Sequence, residues 1–117
     1  MNETDAEKIA RVIITAPHIY AALGIHWQGD YHEARRRRMM AVHPDRYPKD
    51  RAPAHAVNRA HDIMADAKAH QKYRLVTFAK KGQCPACKSA GILSKQKGFS
   101  KKEEIICLAC AGSGYAP

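Results

Sequence analysis

The four cysteines of this chain all fall in its last 34 residues, as Cys84-Pro-Ala-Cys87 and Cys107-Leu-Ala-Cys110. Each Cys-x-x-Cys forms a tight turn that sets its two sulfurs on one side, and 19 residues separate the pairs. Two pairs at this distance read as one tetrahedral site, in which four thiolates hold a single zinc ion without redox change. Thiol–disulfide exchange is the competing chemistry, but no βαβ pattern surrounds either pair. The N-terminus, Met-Asn-Glu-Thr-Asp, is acidic and polar, where a secretory signal would be basic and then apolar. A reducing cytoplasm is therefore the expected compartment, and there this spacing favours metal over disulfides.

A second constellation is His43-Pro44-Asp45, which directly follows a helical pattern carrying four consecutive arginines, Arg35 to Arg38. Proline fixes the backbone and removes a donor, so the tripeptide makes a rigid kink that presents His43 and Asp45 outward. The Asp45 carboxylate can pair bidentately with an arginine of a partner, and His43 can donate or accept. The other histidines, His18, His26, His32, His55, His61 and His70, are scattered and read as surface or helix-packing residues rather than ligands. With no Gly-rich phosphate loop, Ser/His/Asp set or paired carboxylates in the pattern, intrinsic enzyme activity is not expected.

The elements that must position these groups are mainly helical. Thr4-Asp-Ala-Glu7 reads as a capping box, followed by Ile9, Val12, Ile13 and Ala16 at helical spacing until Pro17. A short helix, His18–Leu23, stops at Gly24. Asp30 is placed to cap a third helix over Tyr31–Val42. Its four arginines cannot share one face at 100° per residue, so at least one must lie near the core and reach out along its methylene stem. His43–Pro53, with three prolines, reads as a loop. A fourth helix is expected over Ala54–Asp66, burying Val57, Ala60, Ile63 and Met64. A fifth is expected over Ala69–Lys80, with Tyr73, Val76 and Leu75 inward. Past Gly82 the texture changes to Cys, Gly, Lys and Ser. Short β-like runs at Gly91–Leu93 and Glu104–Cys107 suggest a hairpin, with Lys95–Lys102 as its basic tip and Gly98 in the turn. Gly91, Gly112 and Gly114 suit the turns beyond each cysteine pair. The expected division is 1–80 and 81–117, with an N-terminal helix over 4–16. The second part has almost no core, so metal must supply most of its folding free energy.

The helical half resembles the J-domain family, whose mark is His-Pro-Asp between two long helices. His18-Ile-Tyr-Ala-Ala-Leu-Gly-Ile25 is similar to the family's opening, an aromatic before Leu-Gly-Val/Ile. Ala34 to His43 occupies the place of Ala-Tyr-Arg-Lys-Leu-Ala-Leu-Lys-Tyr-His, and Ala60-His-Asp-Ile-Met-Ala-Asp66 matches Ala-Tyr-Glu-Val-Leu-x-Asp. Tyr73 falls where the family has a tyrosine in its last helix. The matched core is 18–74, about half the chain. Arg35 stands where tyrosine is usual, Arg38 where leucine is usual, and Ala54 where a phenylalanine fills the core. The loop after Asp45 is about three residues shorter than in the familiar bacterial member. Cys107-Leu-Ala-Cys-Ala-Gly-Ser-Gly114 reproduces the Cys-x-x-Cys-x-Gly-x-Gly repeat of the larger J-proteins, while Cys84 to Gly91 keeps only the last glycine. Two repeats are present of the usual four, enough for one zinc.

The resemblance implies a small co-chaperone. His43, Pro44 and Asp45, with Arg36 and Arg37 on the adjoining helix, would engage a DnaK-type ATPase chaperone and promote ATP hydrolysis. The zinc module would hold a client or partner. The net charge of +9 suits an acidic partner surface, and equally nucleic acid. Residues 1–80 carry 14 basic and 9 acidic side chains, and 81–117 carry 6 and 2. Lys95, Lys97, Lys101 and Lys102 would be the contacts of a nucleic-acid-binding regulator, or of an adaptor with a silent J-fold. No apolar run is long enough to span a membrane.

Overall fold

The computed structural model describes residues 4–97 and 101–116, and the side chains of 95–97 and 101–102 are outside the description. It comprises five helices and one hairpin: α1 (Asp5–Thr15), α2 (Ile19–Leu23), α3 (Tyr31–Val42), α4 (Ala52–Ala65), α5 (Ala67–Thr77), β1 (Ile92–Lys97) and β2 (Lys101–Ile106). The architecture is mainly α with a two-stranded antiparallel sheet. Among the described residues, no helix is long and apolar enough to cross a membrane.

Local chemistry sets most of the boundaries. The Thr4 hydroxyl accepts from the Glu7 amide and opens α1, and the Asp30 carboxylate accepts from the Glu33 amide and opens α3. At α2 the cap is a histidine: His18 Nδ1 accepts from the Ala21 amide at 3.2 Å. The same helix ends on Gly24 in the left-handed conformation. Asp66 closes α4 and at once caps α5, accepting from the Lys68 and Ala69 amides.

That cap moves the fifth helix to Ala67–Thr77, two residues earlier than its sequence pattern suggests. Its inward face becomes His70, Tyr73 and Arg74, at i, i+3 and i+4. Leu75 and Val76, expected inside, are 63% and 69% exposed. The buried aromatic is instead Phe78, just past the helix end. In α1, Ala10 and Ile13 are buried and Val12 sits on the flank, 47% exposed. The fourth helix begins at Ala52 rather than Ala54. Pro53 lies in its first turn, where a missing amide hydrogen costs nothing, so the third proline belongs to the helix and not to the loop.

The core gathers Ile13, Ile19, Tyr20, Leu23, Val42, Val57, Met64 and Phe78. Ala54 is buried, and α1 packs against both α3 and α4. The pairings His32–His61 and Arg35–Asn58 step in opposite directions along α3 and α4, so these two helices form an antiparallel hairpin with His43-Pro44-Asp45 at its turn. Arg38 is the arginine drawn toward the core. Its Nε donates to the Ala22 carbonyl at 3.0 Å, near the end of α2, and burial pulls its pKa down. The polar head has thus found a backbone acceptor where the sequence resemblance expects leucine.

The hairpin ladder is longer than its short apolar runs. It continues through the lysines, with Lys95 opposite Glu103, Gln96 opposite Lys102 and Lys97 opposite Lys101. Lys95, Lys97, Lys101 and Lys102 therefore lie in strands rather than in a tip, and Gly98 lies outside the described residues.

Candidate metal centre and the His-Pro-Asp turn

Cys84, Cys87, Cys107 and Cys110 are all buried, and their sulfurs lie within 4.8 Å of one another. Each Cys-x-x-Cys is a turn in which a backbone amide reaches back to sulfur: Gly91 N–H to Cys87 Sγ at 3.3 Å, and Gly114 N–H to Cys110 Sγ at 3.4 Å. The two knuckles face each other, with Cys84 Sγ 3.9 Å from Cys107 Sγ and Cys87 Sγ 3.6 Å from Cys110 Sγ. β1 and β2 leave between the knuckles, and the Cys107 amide donates to the Gly91 carbonyl. The backbone amides of Cys87 and Ala86 help lower the Cys84 thiol to about 7, while burial is the main cause holding Cys87 up at about 12. One thiol ionises readily, helped by backbone amides, and its buried neighbour does not. The four thiols can hold one metal ion.

The knuckles are docked on the helical half. Trp27 N–H donates to the Gly112 carbonyl and Trp27 Nε1–H to the Ser89 carbonyl, both at 2.9 Å. With its Nδ1 occupied by the Ala21 amide, His18 carries its hydrogen on Nε2 and donates to the Cys110 carbonyl at 3.0 Å. Burial pulls the His18 pKa down, consistent with a neutral ring. Phe78 and Tyr115 stack with centroids 4.8 Å apart, and the Arg74 guanidinium lies 4.1 Å from the Trp27 ring and 4.7 Å from that of Tyr115. Arg74 also donates to the Tyr20 hydroxyl, which then donates to His70 Nε2 at 2.8 Å. Burial raises Tyr20 to about 12, so this hydroxyl stays protonated.

The glycines make the close approach possible. A Cβ on Gly112 would stand 2.6 Å from the Ile25 carbonyl oxygen, and one on Gly114 would stand 2.7 Å from that of Ser89. Both residues also have positive φ. They serve the turns, as their spacing suggests, and they serve the docking as well.

At the other end of the helical half, His43 Nδ1 accepts from the Asp45 amide at 3.2 Å, which leaves its Nε2–H directed away. The side chains of His43 and Asp45 are 52% and 90% exposed. Arg36 and Arg37 are exposed on α3, and both are engaged by Glu33, at 2.7 and 3.3 Å. Hydrogen bonds from Arg36 and then Arg37 hold the Glu33 carboxyl down at about 2. Arg35 bridges to Asn58 and borders a groove of about 350 Å³ with Met39, His43, Pro44 and Ala54.

Three residues of the site, Glu33, His18 and Trp27, are not signalled as such by the sequence. Glu33 was one turn from the arginines and of opposite charge, so the i,i+3 and i,i+4 spacing could have found it. His18 and Trp27 dock residues some 60 to 90 positions away, and no local pattern signals that. Compared with known proteins, the chain matches no family model, no curated protein and no solved structure.

Proposed function

We propose that this chain is a small J-domain co-chaperone that binds a DnaK-type chaperone and stimulates its ATP hydrolysis. The observation that carries the reading is the turn between α3 and α4, where His43 and Asp45 stand exposed on either side of Pro44. Arg36 and Arg37 lie exposed on α3, ahead of that turn. An acidic partner surface can exchange for Glu33 on these arginines while Asp45 takes an arginine of the partner. Pro44 stiffens the turn, and the antiparallel pair fixes its orientation.

The metal we assign to the cysteines is one zinc ion. A zinc–sulfur distance of about 2.3 Å in a tetrahedron puts neighbouring sulfurs about 3.8 Å apart, against 3.6 and 3.9 Å across the two knuckles. Zinc bound there supplies structure and no redox chemistry, in a cytoplasm that keeps thiols reduced. The module it stabilises offers an apolar cleft of about 340 Å³ bordered by Pro17, Phe78, Leu108 and Tyr115. Leu108, at the crest of the second knuckle, is 91% exposed, which supports a role in holding a client or partner protein.

The experiment is single-turnover ATP hydrolysis by a bacterial DnaK-type chaperone, with wild-type protein and His43→Gln side by side. Stimulation by the wild type and its loss in the variant are expected. If both proteins stimulate alike, the turn is not the effector. If neither stimulates, the second reading takes over: nucleic-acid binding by the zinc module, favoured by six basic residues against two acidic ones in 81–117. That binding would weaken with salt and survive His43→Gln.

A further inference from the structure

The end of the α3–α4 hairpin opposite the His-Pro-Asp turn carries a histidine pair that neither reading uses. His32, near the start of α3, and His61, on the last turns of α4, place Nδ1 and Nε2 3.2 Å apart. The rings meet edge to face at 5.1 Å. Asp62 Oδ1 lies 3.1 Å from His61 Nδ1. An ionised carboxylate only accepts, so His61 carries its hydrogen on Nδ1 and turns a bare lone pair at Nε2 toward His32. His32 is exposed, and its remaining hydrogen can sit on either nitrogen.

We infer that His32 and His61 form a second metal site, for a first-row transition-metal ion of the nickel or zinc class. Two imidazole nitrogens about 2.0–2.1 Å from such an ion lie about 3.3–3.4 Å apart in a tetrahedron and about 2.9 Å apart at right angles. The observed separation falls between these values. When His32 moves its hydrogen to Nε2, both facing nitrogens carry lone pairs, and no net proton leaves the pair. Asp62 provides the outer-sphere carboxylate that fixes the tautomer of a ligating histidine. Arg35 and Arg36, three and four residues beyond His32, are the charges on α3 that would oppose a cation; Arg35 is engaged by Asn58 and Arg36 by Glu33. Water completes the coordination, because only two protein ligands converge, so the site is exchangeable where the cysteine site is closed. Occupied, it pins the start of α3 to the end of α4 and stiffens the hairpin from the end away from His43. Imidazole nitrogen suits nickel and zinc alike. The histidines come from separate helices, 29 residues apart, which is why their sequence spacing gives no metal motif.

The test is a titration of the full chain, its cysteines loaded with one equivalent of zinc, with nickel ion at about pH 7.5. Binding is followed by calorimetry and by paramagnetic broadening of the histidine ring resonances. One further ion per chain is expected, broadening His32 and His61 first. His32→Gln and His61→Gln should each abolish it, and Asp62→Ala should weaken it about 10–100-fold. His32 is exposed, so His32→Gln tests the site without disturbing the core. Retained zinc and no nickel–thiolate absorption show that the added ion is not at the cysteines. Overturning results are no second equivalent in the wild type, undiminished binding in both glutamine variants, or broadening confined to other histidines. None of these bears on ATPase stimulation.

Discussion

Gly112→Ala separates the docking of the knuckles from their metal chemistry, because Gly112 is not a ligand. Its φ is +91°, and a Cβ there would stand 2.6 Å from the Ile25 carbonyl oxygen and 2.9 Å from His26 Cα. Both obstacles are backbone atoms and cannot rotate away. The left-handed conformation alone costs a side-chain-bearing residue about 1–2 kcal/mol. Displacing the knuckle also breaks the Trp27 N–H bond to the Gly112 carbonyl, worth about 0.5–1.5 kcal/mol. Together these destabilise the metal-loaded protein by about 1.5–3.5 kcal/mol, or about 6–14 °C in melting temperature for a chain of this size. The assay is thermal unfolding followed by far-UV circular dichroism and by fluorescence of Trp27, the chain's single tryptophan. Gly82→Ala is the control, since a Cβ there meets nothing within 4 Å. Gly112→Ala melting with the wild type, or Gly82→Ala falling as far, would mean that these backbone contacts do not hold the knuckle in place.

Three further outcomes are expected. Stripping the metal from the intact chain with a chelator should red-shift Trp27 emission and lower the melting point of the helical signal; an unchanged helical melt would mean the two halves are energetically separate. Glu33→Gln frees Arg36 and Arg37, so association with an acidic partner should become faster and more salt-sensitive, with little change in melting; an unchanged association rate would show that Glu33 does not compete. The His70 pKa is lowered, first by burial and then by Arg74, so its contribution to stability is complete above about pH 6.5 and lost as the pH falls below it, where the unfolded state takes up the proton more readily. Urea midpoints measured from about pH 7.5 to 5.5 should fall less steeply for His70→Gln than for wild type, and equal slopes would count against this account.

Helix positions were legible where a side chain caps its own helix. Thr4 and Asp30 announce α1 and α3, and α3 runs over Tyr31–Val42 as its pattern predicts. The boundaries moved where two signals shared one residue: Asp66 ends α4 while starting α5, and Pro53 reads as a breaker from outside the helix and as a first-turn residue from inside it. The arginine run was legible as a geometric problem, and Arg38 resolves it, but its acceptor at Ala22 depends on tertiary placement. The convergence of the cysteines follows from their spacing, and the structure supports a metal site there. The interface between the halves was not legible. Its hydrogen bonds run from one histidine and one tryptophan to backbone carbonyls of the knuckles, which have no identity in a sequence, and Phe78, Arg74 and Tyr115 meet only in the fold.

The stack of Phe78 on Tyr115 sits at the root of the knuckle segment, where the Ala116 amide also donates to the Gly82 carbonyl and Gln83 bridges to Tyr115. The chain from Phe78 to Tyr115 is thereby a loop pinned at its neck by contacts that involve no sulfur. A flexible chain must lose configurational freedom to bring two distant chelating turns together. Here the neck contacts, and the helical surface beneath them, hold the two ends of that loop together and so lower the loss. A metal ion bound by the four thiols would then close a loop pinned at its base, rather than join two independent arms. Its escape would require all four thiolates to let go within a frame that holds them in place, which favours slow release from a centre of this kind.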